Sequence, residues 1–195
     1  MSSDSSDTRT RILDCTWNLL ESGDKKVRMS DIAKAAGISR QALYLHFPTR
    51  AELLVAATRH IDSVKNVDAR LAASRAATSG RERLVAFISA WCGYIPEIHG
   101  VSVALRALRA SDAEAAAAWD NRMQAVRHGC AAAVRALAAD KMLRPDLNEK
   151  AATDLLWTLL SVENWEHLVR DCGWSQSDYE SLIKRLAGAA LLVTR

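Results

Sequence analysis

Ser30-Asp31-Ile32-Ala33-Lys34-Ala35-Ala36-Gly37-Ile38-Ser39-Arg40-Gln41-Ala42-Leu43-Tyr44-Leu45-His46-Phe47-Pro48-Thr49-Arg50 holds two short apolar-periodic segments on either side of Gly37. Ile32, Ala33 and Ala36 mark the inner face of a helix over Met29–Ala36, and Leu43 and Phe47, four apart, mark the inner face of a second over Ser39–Phe47. Gly37 ends the first, Ser39 has the side chain of an N-cap, and Pro48 closes the second. Ala33 and Ala36 are small enough for the helices to cross closely, while Ile38 and Leu43 fill the angle between them. Two short helices joined in this way form a helix-turn-helix, whose second helix lies in the major groove of DNA with its N-terminal residues at the base edges.

Position along that second helix then assigns roles. Arg40 and Gln41 fall where bases are read: arginine bonds O6 and N7 of guanine with two donors, and glutamine bonds N6 and N7 of adenine. Tyr44 and His46, farther along, reach phosphate oxygens, with Ser39, Lys34 and Arg50 as further backbone contacts that position without specifying sequence. The bland alternatives are a Tyr44 ring packed on the small domain's core and a His46 that is merely exposed. Net charge is only +3, but between Lys25 and Arg50 six basic residues (Lys25, Lys26, Arg28, Lys34, Arg40, Arg50) face a single acid, Asp31. Lys25, Lys26 and Arg28 read as a solvated loop, and Arg9 or Arg11 as weak backbone contacts.

Outward from this segment the chain reads as all-α, with about nine helices. Residues 1–7, rich in Ser and Asp, read as a disordered, solvated tail. A helix over Thr8–Ser22 carries Ile12, Cys15, Thr16, Leu19 and Leu20 on one face and stops at Gly23. Downstream, the periodicity predicts one long helix over Arg50–Arg75, a helix over Arg81–Ile95 stopped by Pro96, a short one over Val101–Ala110 after Gly100, and a long one within Asp112–Leu143. Two last helices, near Leu147–Cys172 and Ser175–Thr194, are apolar around most of their circumference, which predicts burial on two sides and a partner subunit as the second cover. The expected domains are residues 8–50, a DNA-binding head, and 51–195, a larger helical domain.

Composition bounds the rest. With 49% hydrophobic residues in 195, the chain can bury a sizeable core. Four widely separated cysteines (Cys15, Cys92, Cys130, Cys172) and a Ser/Asp-rich N-terminus without an apolar run predict a reducing, cytoplasmic setting. No uncharged apolar run reaches the length of a membrane span. His128 and Cys130 point to different helix faces, and no Cys-x-x-Cys, His-Glu-x-x-His, phosphate-cradling glycine loop or Gly-x-Ser-x-Gly turn occurs, so no metal, cofactor or enzyme is expected.

The N-terminal motifs, Ile12-Leu13 and Gly23, then Ile32 through Ser39, then Leu43-Tyr44-Leu45-His46-Phe47-Pro48 with Arg50 two residues on, resemble those of TetR-family regulators. The resemblance covers roughly residues 8–55. It implies an all-α homodimer on a palindromic operator, released when a ligand occupies the larger domain. Two positions depart from the family pattern: Arg28 stands where a threonine usually caps the second helix, so that helix start is held differently, and Arg50 replaces the usual lysine while keeping its charge.

In the larger domain, Phe87, Trp91, Tyr94, Trp119, Met123, Trp157 and Trp165 lie on inward stripes and form a candidate apolar effector pocket, although each is also an ordinary core residue type. Glu163, Asn164 and His167, with His99 and His128, are candidates for orienting a ligand; Glu163 and His167 are equally suited to bonding each other across one turn. The expectation is a repressor responding to a small, largely apolar effector. The alternatives are a ligand-independent architectural DNA binder, with a solid core among the tryptophans, and a helical-bundle enzyme, for which the chain shows no catalytic constellation.

Overall fold

The computed structural model describes residues 2–22 and 27–193, with side chains from Ser5 onward. The stop at Gly23, the loop cations Lys25 and Lys26 and the helix end at Thr194 lie outside those residues. The described chain is helical throughout, with one isolated antiparallel bridge, Leu143 with Leu192, and no strand.

Helix α1 spans Ser2–Glu21, so residues 2–7 are its first turns and not the expected disordered tail. Serine and aspartate suit a helix start because they bond its free N–H groups and complement its positive end. Helices α2 (Met29–Ala35) and α3 (Arg40–His46) fall where the motif places them. Helix α4 (Arg50–Val64) opens on Thr49, whose hydroxyl accepts from the Glu52 amide at 3.1 Å, and ends eleven residues short of Arg75. Asn66 takes a left-handed conformation at φ 53°, which a short amide side chain tolerates, and the chain continues as the short turns α5 (Val67–Arg70) and α6 (Ala72–Ala76).

Pro96 and Gly100 do not interrupt the next helix. Helix α7 runs unbroken over Gly80–Leu108. A proline inside a helix leaves the carbonyl four residues earlier without its donor. That carbonyl, on Cys92, accepts instead from Gln176 Nε2 at 2.8 Å, and the same amide accepts from Trp165 Nε1 at 2.7 Å. No uncharged run in α7 reaches span length, but with its charged residues included the helix is long and apolar enough to cross a membrane by length and composition. Most of its large apolar side chains, among them Leu84, Ile88, Ile95 and Leu105, are nevertheless buried in protein, as in a core helix, while Val85 and Val103 are exposed.

Helix α8 covers Ala113–Ala139. The helix expected near Leu147–Cys172 is broken: α9 (Glu149–Leu159) ends at Leu160, and α10 (Val162–Trp165) starts afresh from Ser161, whose hydroxyl caps the Asn164 amide at 3.2 Å, then loosens into a π turn over Glu166–Asp171. Helix α11 (Gln176–Leu191) opens on a Ser175 cap and packs on α9.

The chain divides into two compact units, Met1–Lys65 with Ile98–Arg122, and Asn66–Glu97 with Met123–Arg195. The first unit thus joins the helix-turn-helix to α4 and to the adjoining ends of α7 and α8. In the first unit Ile12, Leu20, Ile32, Leu43, Leu53 and Leu54 are fully buried; in the second, Ile88, Cys92, Val134, Leu156 and Tyr179 are.

Candidate nucleic-acid interface

Turn geometry sets the angle between α2 and α3. Gly37 adopts φ 66°, a region in which a side chain is strained. Its amide bonds to Lys34 O at 3.2 Å and the Ile38 amide to Ala33 O at 3.0 Å, the paired bonds that terminate a helix and redirect the chain. Ser39 then caps α3, its hydroxyl accepting from the Ala42 amide at 3.0 Å. At the start of α2, Arg28 makes no side-chain cap bond; its carbonyl takes the Asp31 and Ile32 amides, and Asp31 complements the dipole, which is how this helix start does without a threonine.

Helix α3 is held by one face. Leu43 is fully buried and Phe47, at the C-cap, is 2% exposed. Arg40, Gln41 and Tyr44 face solvent, and Leu45 is 83% exposed. Tyr44 is therefore not a core ring. Arg40 lies over it, guanidinium to ring centre 5.7 Å and Nη2 to the hydroxyl 3.4 Å, so the two side chains form one unit on the outer face. Lys34 is exposed at the end of α2, and His46 is half-buried at the end of α3. Leu45 was not singled out from sequence, because only burial distinguishes it from Leu43.

Three arginines have structural partners. Arg9 Nη1 donates to His46 O at 2.9 Å and its guanidinium covers the Phe47 ring at 4.1 Å; Arg11 Nε donates to Ala36 O at 3.0 Å. These α1 side chains thus satisfy carbonyls at the ends of α3 and α2, a role distinct from the weak DNA contact expected of them. Arg50, expected on a phosphate, directs its side chain to Val27 O (2.6 Å), Asp112 (2.8 Å) and Glu114 (3.2 Å). Sequence distance hid this pairing, since the carboxylates lie more than sixty residues away.

The effector candidates fall in both units. Trp119, which is buried, and His99 belong to the first unit, whereas the others belong to the second. There Trp91 and Tyr94 meet edge to face, ring centres 6.1 Å apart, and Trp91 Nε1 donates to Leu160 O at 2.7 Å, satisfying the carbonyl that ends α9. Phe87 is buried against Gly129, and Met123 and Trp157 are half-buried, Trp157 with Arg127 over its ring at 5.9 Å. Asn164 donates to Thr158 O at 2.8 Å; Glu163 and His167 are exposed, the latter 3.4 Å from Asp171. Sequence reasoning missed Tyr179, which is fully buried with a hydroxyl that has no hydrogen-bond partner and a pKa pushed up by burial.

Residues 12–57 match the model of the bacterial regulatory proteins, tetR family. No curated protein sequence matches the chain. Among solved structures, a Saccharomonospora viridis protein in complex with choline shares 21% identity over 97% of this chain and 100% of its own, at a TM-score of 0.73. Bacillus subtilis FadR in complex with stearoyl-CoA shares 15% over 92% and 97%, at 0.73. NalD of Pseudomonas aeruginosa, the secondary repressor of a multidrug efflux pump, shares 21% over 97% and 98%, at 0.67. At these identities the likeness establishes the fold. Residues 12–57 are similar to a TetR-family N-terminal domain, and the chain carries them on a TetR-like all-helical fold.

Proposed function

We propose that the chain is a transcriptional repressor that binds a palindromic DNA operator as a homodimer and is released by a small, largely apolar effector. One observation carries the reading: α3 is anchored through Leu43 and turns Arg40, Gln41 and Tyr44 outward, donors and a ring suited to base edges and phosphate. Lys34, Ser39 and His46 supply backbone contacts around them. Leu155 on α9 and Leu186 on α11 each remain 42% exposed although the two helices pack together, an apolar surface suited to a second copy. A two-fold dimer presents two α3 helices, and half-sites about 34–36 Å apart, or a multiple, then read a palindrome.

The effector reading rests on the aromatic groups of the second unit, Phe87, Trp91, Tyr94 and Trp157, with Met123, and on relatives of the same fold solved with choline and stearoyl-CoA. Asn164, Glu163 and His167 supply polar contacts. Such a ligand releases DNA only by binding more tightly to a state whose heads are wrongly spaced. The chain works in the cytoplasm, where its operator is.

Selection of bound duplexes from random DNA at fixed salt tests the reading. An inverted repeat is the expected product; recovery of unselected sequence refutes it. Tryptophan fluorescence titrated with choline and with stearoyl-CoA tests the sensor half, and an effector that binds without changing operator affinity refutes the release mechanism.

A further inference from the structure

Arg50 occupies the first position of α4, where a helix N-terminus and a cation together suit a phosphate. Its guanidinium is held elsewhere. The side chain is 14% exposed, with Nε on Val27 O and Nη1 between Asp112 and Glu114. All four residues belong to the first compact unit. Two carboxylates against one guanidinium leave net negative charge at this spot, so the cation adds nothing to the basic field of the head. Asp112 also caps α8, its Oδ1 accepting the Glu114 and Ala115 amides at 3.1 Å, and Asp62 pairs with Arg122 farther along α4 and α8.

Building on the DNA-binding reading above, we propose that Asp112 and Glu114 are positioning residues that withhold Arg50 from the DNA backbone and thereby set operator affinity. A phosphate at the start of α4 and the carboxylate pair compete for the same guanidinium. When the pair wins, the head binds more weakly; when the pair is weakened, Arg50 becomes an added phosphate contact.

Asp112→Asn with Glu114→Gln tests this. Asparagine keeps the cap, as Asn148 does for α9 by accepting the Ala151 amide at 2.8 Å. Binding to a mixed-sequence duplex about three helical turns long is followed by anisotropy over a salt series. The double variant binds more tightly, and log K against log salt steepens by about 0.9, the effect of one phosphate. Between 50 and 200 mM salt that is a further loss of about 3.5-fold relative to the unsubstituted chain. Adding Arg50→Gln removes the extra slope. Glu114→Gln alone, which leaves the cap untouched, shifts the slope in the same direction and serves if the double variant unfolds. An unchanged slope, or a gain that survives Arg50→Gln, overturns the inference while duplex binding by the unsubstituted chain stands; absence of that binding at low salt overturns the DNA-binding reading itself.

Discussion

Replacing Gln176 with Ala removes, in one step, the donor that satisfies the Cys92 carbonyl and the acceptor that satisfies the Trp165 indole. The first of these exists because Pro96 has no N–H to give that carbonyl. Each orphaned polar group costs about 1–3 kcal/mol, and because Gln176 is half-buried, water lowers both terms, so the expected loss is about 2–3 kcal/mol. Pro96→Ala restores a helical donor for Cys92 O, so Gln176→Ala costs about 1–1.5 kcal/mol less in that background, where only the indole is orphaned. Urea unfolding of the four proteins in this cycle, with m-values compared to verify a common transition, measures the coupling. If the two substitutions add to within about 0.5 kcal/mol, the proline and the glutamine are independent and this explanation of the unbroken α7 is wrong.

Other expectations follow from the same structure. Under the proposed roles, Arg40→Ala or Gln41→Ala relaxes preference at particular base pairs, whereas Tyr44→Phe, which removes the hydroxyl that Arg40 meets, weakens all sites alike; selection profiles of the three variants decide, and the reverse pattern refutes the roles. Gly129→Ala places a methyl 2.4 Å from Phe87 Cε2 and costs about 1–3 kcal/mol in thermal or urea unfolding, with recovery in Gly129→Ala/Phe87→Leu; absence of recovery assigns the cost elsewhere. Burial pushes the Cys92 and Cys130 thiols up from 9.0 to about 12, so an unfolded chain releases these protons first and stability, full below pH 9, declines as pH rises toward 12. Cys172 is exposed and reacts with a thiol reagent in the native state, whereas labelling of Cys92 before unfolding contradicts its burial.

Local signals were legible wherever the decisive interaction lay within a few residues. Ser39, Gly37 and Leu43 announce the turn between α2 and α3 because caps and left-handed glycines act over three or four positions. Asn66 and Ser161 carried the same kind of signal, but apolar periodicity ran through both and masked the breaks at α4 and α9. Pro96 misled for the opposite reason: its local stop signal is overridden by a glutamine eighty residues on. Arg50 shows the limit for the site, since its charge and place favour phosphate, and only the fold reveals Asp112 and Glu114 beside it.

The central claim is that α3 is presented outward, twice per assembly, to duplex DNA. Sedimentation of the purified chain with a selected duplex and with a scrambled one of equal length, both at about 0.15 M salt, tests it most directly. The expected result is two chains on the selected duplex and none at the same concentration on the scrambled one. A chain that stays monomeric, or that loads both duplexes equally, contradicts the account.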